Sequence, residues 1–395
     1  ILQNGRGAVF NSKNTQMAAV RRKKGNSGFR LYDLKAKKLI FESEQYQTCE
    51  SAKFSPDDKL IVLTAEKLNG THCVVVYNIE KGKPIKEFDH SNKFFYADVS
   101  NNNNLIAGGT NKGDVIVWTA PNYEKQILTK TDGEILEIKI HPKENKVAAV
   151  SFNNGNDYDF LFFDLTYNPA KQLEIYSSPN DQQRWWVESH YSKSGNYLII
   201  NGGGDQVGSL VVFDGNNGKL KWINETSHSK VVFDCDFSAD ETLLATASYD
   251  NSARIWDTES GKEHTQPLIS NAGFWHCRFT MDQTKLITGD YNSNCQIWDI
   301  NKGTLLQNTF KQESPILAVA ATEDPNKAIV TLLNGRVALW NISRNNRWPI
   351  LLTHNLQIMN SQLLPDDHIA TSGLDAKVKV WDLKNLGEDT TLNVE

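Results

Sequence analysis

Nine histidines, 47 acidic residues and five cysteines are spread over the 395 residues, and their spacing decides what chemistry they could do. A metal site within one element needs its ligands a few residues apart. No two histidines stand that way, and Cys49, Cys73, Cys235, Cys277 and Cys295 include no C-x-x-C pair. The chain has no G-x-S-x-G elbow, no H-E-x-x-H, no Walker loop and no kinase signature. Residues 202–208 (GGGDQVG) superficially resemble a phosphate loop. Val207 stands where the third glycine belongs and no helical pattern follows, so the segment is expected to be a hairpin turn. Residues 214–218 (DGNNG) could open a calcium loop, but the same Asp-to-Gly spacing recurs from Asp257 and Asp299. The expectation is no catalytic residues, no metal and no cofactor.

Composition narrows the partners. The net charge of −5, from 42 basic and 47 acidic residues, does not fit a general nucleic-acid binder. The densest charge feature is Arg21, Arg22, Lys23 and Lys24, reinforced by Arg30, Lys35, Lys37 and Lys38. It reads as a solvated hairpin loop, or else as a patch attracting an acidic protein, an anionic lipid or an RNA backbone. An odd number of unpaired cysteines fits a reducing compartment, and the cytoplasm is the expected location. No apolar run approaches the roughly 18 residues of a membrane helix. The chain starts at Ile1 without an initiator Met, as expected of a processed product or of a piece cut from a longer chain.

The elements that carry these residues repeat. Nine short apolar segments each end in an aromatic and a small or polar residue, with the aromatics at Tyr32, Tyr77, Trp118, Phe163, Phe213, Trp256, Trp298, Trp340 and Trp381. A β-rich run ending in a turn precedes the aromatic strand in each unit, and in several units an alternating strand closed by a polar turn precedes that. After the aromatic, Asp or Asn four residues before Gly (Asn78/Gly82, Asp214/Gly218, Asp257/Gly261, Asp299/Gly303) opens a fourth strand. Four short strands per period of a little over forty residues mean stacked antiparallel sheets.

These units resemble the WD-repeat (WD40) β-propeller family over essentially the whole chain. Residues 228–257 carry the resemblance best. The family's structural tetrad maps onto His228, Thr246, Asp250 and Trp256, and in the last unit onto His354, Thr371, Asp375 and Trp381. Other units keep fragments: His90 and Trp118 with Lys112 in the Asp place, and Thr288 and Trp298 with Ser270 and Asn292 for His and Asp. The resemblance implies an all-β fold in one domain over residues 1–395: a single propeller of nine four-stranded antiparallel blades, with eight blades plus an irregular unit as the alternative. Residues 390–395 or 1–4 could supply the last fourth strand and close the ring.

In the family, partners sit on the face bearing the loops that lead into each first strand. Arg184, Trp185, Phe233, Tyr249, Trp275 and Tyr291 map there and form the candidate partner-binding patch, while Trp186 and Phe274 take an inward core register. Trp, Tyr and Arg are the usual anchors of interfaces. The implied function is a non-catalytic scaffold docking protein or peptide partners within a larger assembly. The alternatives are a regulatory domain of a longer protein, a composite active site in the central channel, or a phosphoinositide binder through Arg21–Lys24.

Overall fold

A computed structural model describes residues 8–13, 15–20, 28–34, 36, 38–43, 45–153, 158–177, 186–225, 227–306, 310–322, 324, 326–342, 346–347, 352–354, 358–364, 368–373, 377–382 and 387–393. Among the described residues there is no helix. The strands form nine antiparallel sheets, each built from consecutive strands, seven of four strands and two of five. The sheets are numbered here as blades 1 to 9 in chain order. Their first strands are Ala8–Phe10, Tyr46–Phe54, Phe94–Val99, Glu134–Ile140, Trp186–Tyr191, Val232–Phe237, Phe274–Phe279, Ile316–Ala321 and Ile358–Leu364. The blade count is nine. The last blade is completed by Gly387–Asn393, and among the described residues no strand is shared between the first and last blades.

The middle strands explain the architecture. Leu60–Lys67, His72–Asn78 and Leu105–Thr110 bury most of their side chains on both faces. A sheet apolar on both faces needs a neighbour on each side. Nine apolar clusters fill the junctions: blades 1 and 2 meet at Phe29, Tyr46 and Tyr77; 4 and 5 at Phe160, Phe162 and Phe213; 6 and 7 at Ile255, Phe274 and Trp298. The ninth cluster joins Met17, Tyr32 and Leu34 of blade 1 to Ala370 and Val380 of blade 9, closing the ring. Fourth strands face solvent and alternate, as in Glu124–Lys130.

The turns follow local rules. Between first and second strands, the hydroxyl of Ser55, Ser100, Ser192 or Ser238 accepts the N–H five residues on. Three residues after that serine the backbone enters the left-handed region, at Asp58, Asn103, Gly195 and Glu241. The segment 202–208 is a hairpin between strands Tyr197–Gly203 and Gly208–Asp214. The loop from Asp214 is the repeat's own turn, with Gly218 at φ 74° and the Asp214 carboxylate accepting the N–H of Asn216 and Asn217.

Phe213 is fully buried against Phe160, Phe162 and Tyr176. Phe213→Ala is expected to cost about 3–5 kcal/mol in denaturant unfolding. Leu68→Ala, at a 69% exposed residue, is expected to stay within about 0.5 kcal/mol. Equal costs would show that the blade junctions do not carry the stability.

Candidate functional site

The loop end of the first strands is shaped by a bulge repeated at one register. In seven blades the pairing of first and second strands skips a residue at this register: Glu50, Phe95, Leu136, Phe233, Trp275, Leu317 and Met359, blade 2 having a second skip at Gln47. A bulged residue is released from the ladder and re-aimed, which is why bulges mark rims and binding sites. Phe95, Leu136, Trp275 and Leu317 are half-buried. The result is a largely apolar collar, broken at blade 2, where Glu50 meets Lys93 at 2.7 Å.

Four of the six sequence-predicted patch residues come together on this collar. Phe233 and Trp275 stack across the junction of blades 6 and 7, with centroids 4.6 Å apart and planes at 3°. Trp275 stacks on Tyr291 at 6.1 Å, and Tyr249 meets Phe233 and Tyr291 edge-on at 5.9 and 6.4 Å. Lys230 Nζ lies 5.2 Å from the Tyr249 ring centroid. Gly273 permits the approach, since a Cβ there would lie 2.5 Å from Tyr249 Cδ2. Exposure grades across the cluster, from Tyr291 at 46% to Phe233 at 9%. Phe233 is therefore mainly a packing residue, which corrects its reading as partly exposed. Phe274 is fully buried, as its register implies. Arg184, Trp185, Asp375 and Arg21, Arg22, Lys23 and Lys24 lie outside the described residues, as does the side chain of Trp186.

The tetrad of blade 6 is complete. The Trp256 indole N–H donates to Thr246 Oγ1 at 3.0 Å, Thr246 Oγ1 lies 2.9 Å from His228 Nε2, and His228 Nδ1 lies 3.0 Å from Asp250 Oδ2. Burial pushes the His228 imidazole down. Burial alone would raise Asp250, but the hydrogen bond and charge of His228 outweigh it and hold the carboxyl well below its usual range. In blade 9, Trp381 and His354 meet Thr371 at 2.9 and 2.8 Å. Blade 7 keeps Trp298 on Thr288, while Ser270 bonds Asp290 and not Asn292. In blade 3, Thr110 bonds Asp114, and His90 accepts from the N–H of Asn92, so His90 is no tetrad member.

Below the collar, the first strands carry a belt of charge that sequence reading missed. One register position reads Lys53, Asp98, Lys139, His190, Asp236, Arg278 and Ala320 from blade 2 to blade 8. Two residues earlier stand Glu137, Glu188, Asp234 and His276 in blades 4 to 7. The carboxylates bind the next blade's backbone. Asp98 accepts the N–H of Ile140 at 2.8 Å, Glu137 that of Ser189 at 2.8 Å, Asp234 that of Cys277 at 3.1 Å and Asp236 that of Phe279 at 2.8 Å. Lys53 and Arg278 pair with Asp98 and Asp234. Burial would lower Lys139, but Glu137, Asp98 and Glu188 raise it. Such a cluster is what a composite channel site would need, yet most of its groups neutralise one another. Among the described residues no three His, Cys, Asp or Glu are placed to hold a metal ion. All five cysteines are free and buried, and burial raises every thiol.

Asp236 is the exception in the belt. Burial raises its carboxyl to about 6, and Asp234 adds to this, against the opposing pull of Arg278, the Phe279 N–H and His190. Because the folded value lies above the unfolded one, the stability this group lends is complete below about pH 4 and is lost as pH rises through about 6. Asp236→Asn keeps an acceptor for the Phe279 N–H. It is expected to gain on the order of 2–3 kcal/mol over wild type at pH 7.5 relative to about pH 4. Urea unfolding at the two pH values checks this, and parallel pH profiles would refute it. Thr246→Val strands both His228 Nε2 and the Trp256 N–H and should cost about 1–3 kcal/mol. Thr288→Val strands only the Trp298 N–H and should cost less in the same measurement.

Comparison with known proteins follows the geometry. The family description "WD domain, G-beta repeat" matches residues 221–257, which contain the complete tetrad. DNA damage-binding protein 2 of Mus musculus is 25% identical over 177 residues, 42% of this chain and 37% of that protein. Eukaryotic translation initiation factor 3 subunit I of Aspergillus niger is 22% identical over 238 residues, 56% of this chain and 66% of that one. The chain thus matches little more than a third of the first relative's length. Among solved structures, the Dos1 propeller superposes with a TM-score of 0.62 at 14% identity, covering 86% of this chain and 94% of that one. Chaetomium thermophilum Sqt1, bound to the N-terminus of the ribosomal protein L10, gives 0.58 at 14% identity over 82% of this chain and 94% of that one. With the repeated four-stranded sheets, the closed junctions and the tetrad, these likenesses agree on one conclusion: the chain has a β-propeller fold of the WD-repeat kind, with a matched WD repeat at residues 221–257.

Proposed function

We propose that residues 1–395 form one domain whose function is to dock a protein or peptide partner on the apolar collar, as a non-catalytic scaffold within a larger intracellular assembly. The observation that carries this is the aromatic cluster of Trp275, on the bulged first strand of blade 7, with Tyr249 and Tyr291, in the turns that follow the second strands of blades 6 and 7, Tyr291 being 46% exposed. Stacked aromatics offer large contact area at little cost in side-chain entropy. A propeller of the same fold, Sqt1, has been solved with a protein N-terminus bound, which supports a peptide as the guest. The channel carboxylates favour scaffold over enzyme. Asp98, Glu137 and Asp234 are committed to neighbouring N–H groups and leave little basic capacity for proton transfer. No helix among the described residues is long and apolar enough to cross a membrane.

The test is affinity purification with wild type and with Trp275→Ala/Tyr249→Ala. The double variant should lose the specifically co-purifying chain, with affinity down at least about tenfold, while retaining a cooperative melting transition. Retention of the partner at wild-type strength with an unaltered melting curve would eliminate the patch as its binding site.

A further inference from the structure

At the opposite end of the first strands from the collar, a cavity of about 360 Å³ lies between blades 5 and 6 and is reached by a side chain of blade 7. Its polar lining includes His190, Lys193, Asp236, Glu241 and Arg278, and Phe237 supplies an apolar wall. The hydrogen-bond inventory of these groups is unbalanced. Both Glu241 oxygens are taken by Ser194, through its N–H and its hydroxyl. Asp236 accepts the Phe279 N–H. The donors are less committed. Arg278 uses one terminal nitrogen, on Asp234 and the Cys277 carbonyl, and among the described residues its other N–H groups have no hydrogen-bond partner. Among the described residues His190 Nε2 is buried without a hydrogen bond, and it stands 3.6 Å from the Glu188 carboxylate. Lys193 is exposed at the rim, with no ion pair among the described residues. A cavity whose uncommitted groups are mainly donors, beside an aromatic wall, suits an acceptor-rich guest with a short apolar body.

We propose that this cavity binds a small organic oxyanion, a phosphate, sulfate or carboxylate group on a compact apolar body, held by Arg278, Lys193 and His190 against Phe237. The site is separate from the collar and does not depend on it. Binding is coupled to a proton. The carboxyl of Asp236 shares the cavity, faced by Arg278, His190 and, along its own strand, Asp234. While ionised it repels an anion. Burial raises it to about 6, so mild acid neutralises it and removes the repulsion.

Phenyl sulfate and benzoate, both anionic from about pH 5.5 to about pH 8, serve as probes and separate a tetrahedral from a planar oxyanion. Calorimetric titration of the intact chain should show saturable binding of at least one probe at about pH 5.5, weaker by about tenfold or more at about pH 8. His190→Gln/Lys193→Ala should reduce the affinity at least about tenfold, with Lys193→Ala alone as a milder variant should the double one melt early. Asp236→Asn should bind at about pH 8 as tightly as wild type does at about pH 5.5. No saturable binding of either probe at the lower pH, or undiminished binding by the folded variants, would overturn the site. Affinity independent of pH in wild type, or unchanged pH dependence in Asp236→Asn, would overturn the proton coupling.

Discussion

Every blade of this protein is apolar on both faces, and that constraint governs the rest. The side chains of Val62, Val74 and Val76 face blade 3, and those of Ile61, Leu63 and Val75 face blade 1. A sheet of this kind in a linear stack would leave one greasy face at each end. Joining the ends is the arrangement that gives every sheet two neighbours, and the cluster of Met17 and Tyr32 with Ala370 and Val380 is where that happens. Burial at the junctions is non-directional, so it cannot by itself set how one blade is aligned with the next. The directional part comes from the carboxylates near the axis, each fixed on a particular N–H of the following blade. Apolar faces thus hold the blades together, and the charged belt sets their alignment.

Much of the fold was legible in the sequence because its signals are local. The aromatic that closes each third strand is set by a short pattern, and Trp118, Trp256 and Trp340 end fully buried as that pattern implies. The blade 6 tetrad was readable because its four side chains occur at family spacing. The same reading failed for His90, where Asp114 replaces the residue expected at 112 and partners Thr110 directly. Fixed spacing cannot anticipate a carboxylate that reaches the same hydroxyl from two residues further along.

The candidate site was only half legible. Phe233, Trp275, Tyr249 and Tyr291 stood out as aromatics at loop positions. Phe95, Leu136 and Leu317 occupy the equivalent bulged position but read as ordinary strand residues, since a bulge inserts one residue without changing composition. A usable signal did exist: in four blades the bulged residue follows a buried apolar residue and precedes a polar one, as in Ile135-Leu136-Glu137 and Val232-Phe233-Asp234. The alternating belt had no such signature. Lys53, Asp98 and Lys139 are more than forty residues apart and pair only because the blades meet near a common axis.

Each blade draws all its strands from one uninterrupted stretch of chain, and among the described residues the seam between blades 9 and 1 carries no backbone ladder. Topologically that seam is no different from the others, where a fourth strand such as Lys83–His90 runs on to the next first strand after a three-residue link. A circular permutant that tethers residue 393 to residue 8 and opens the chain at any other such link would therefore describe the same disc. The cyclic order of the sheets is fixed, whereas the point at which the polypeptide starts along it is arbitrary.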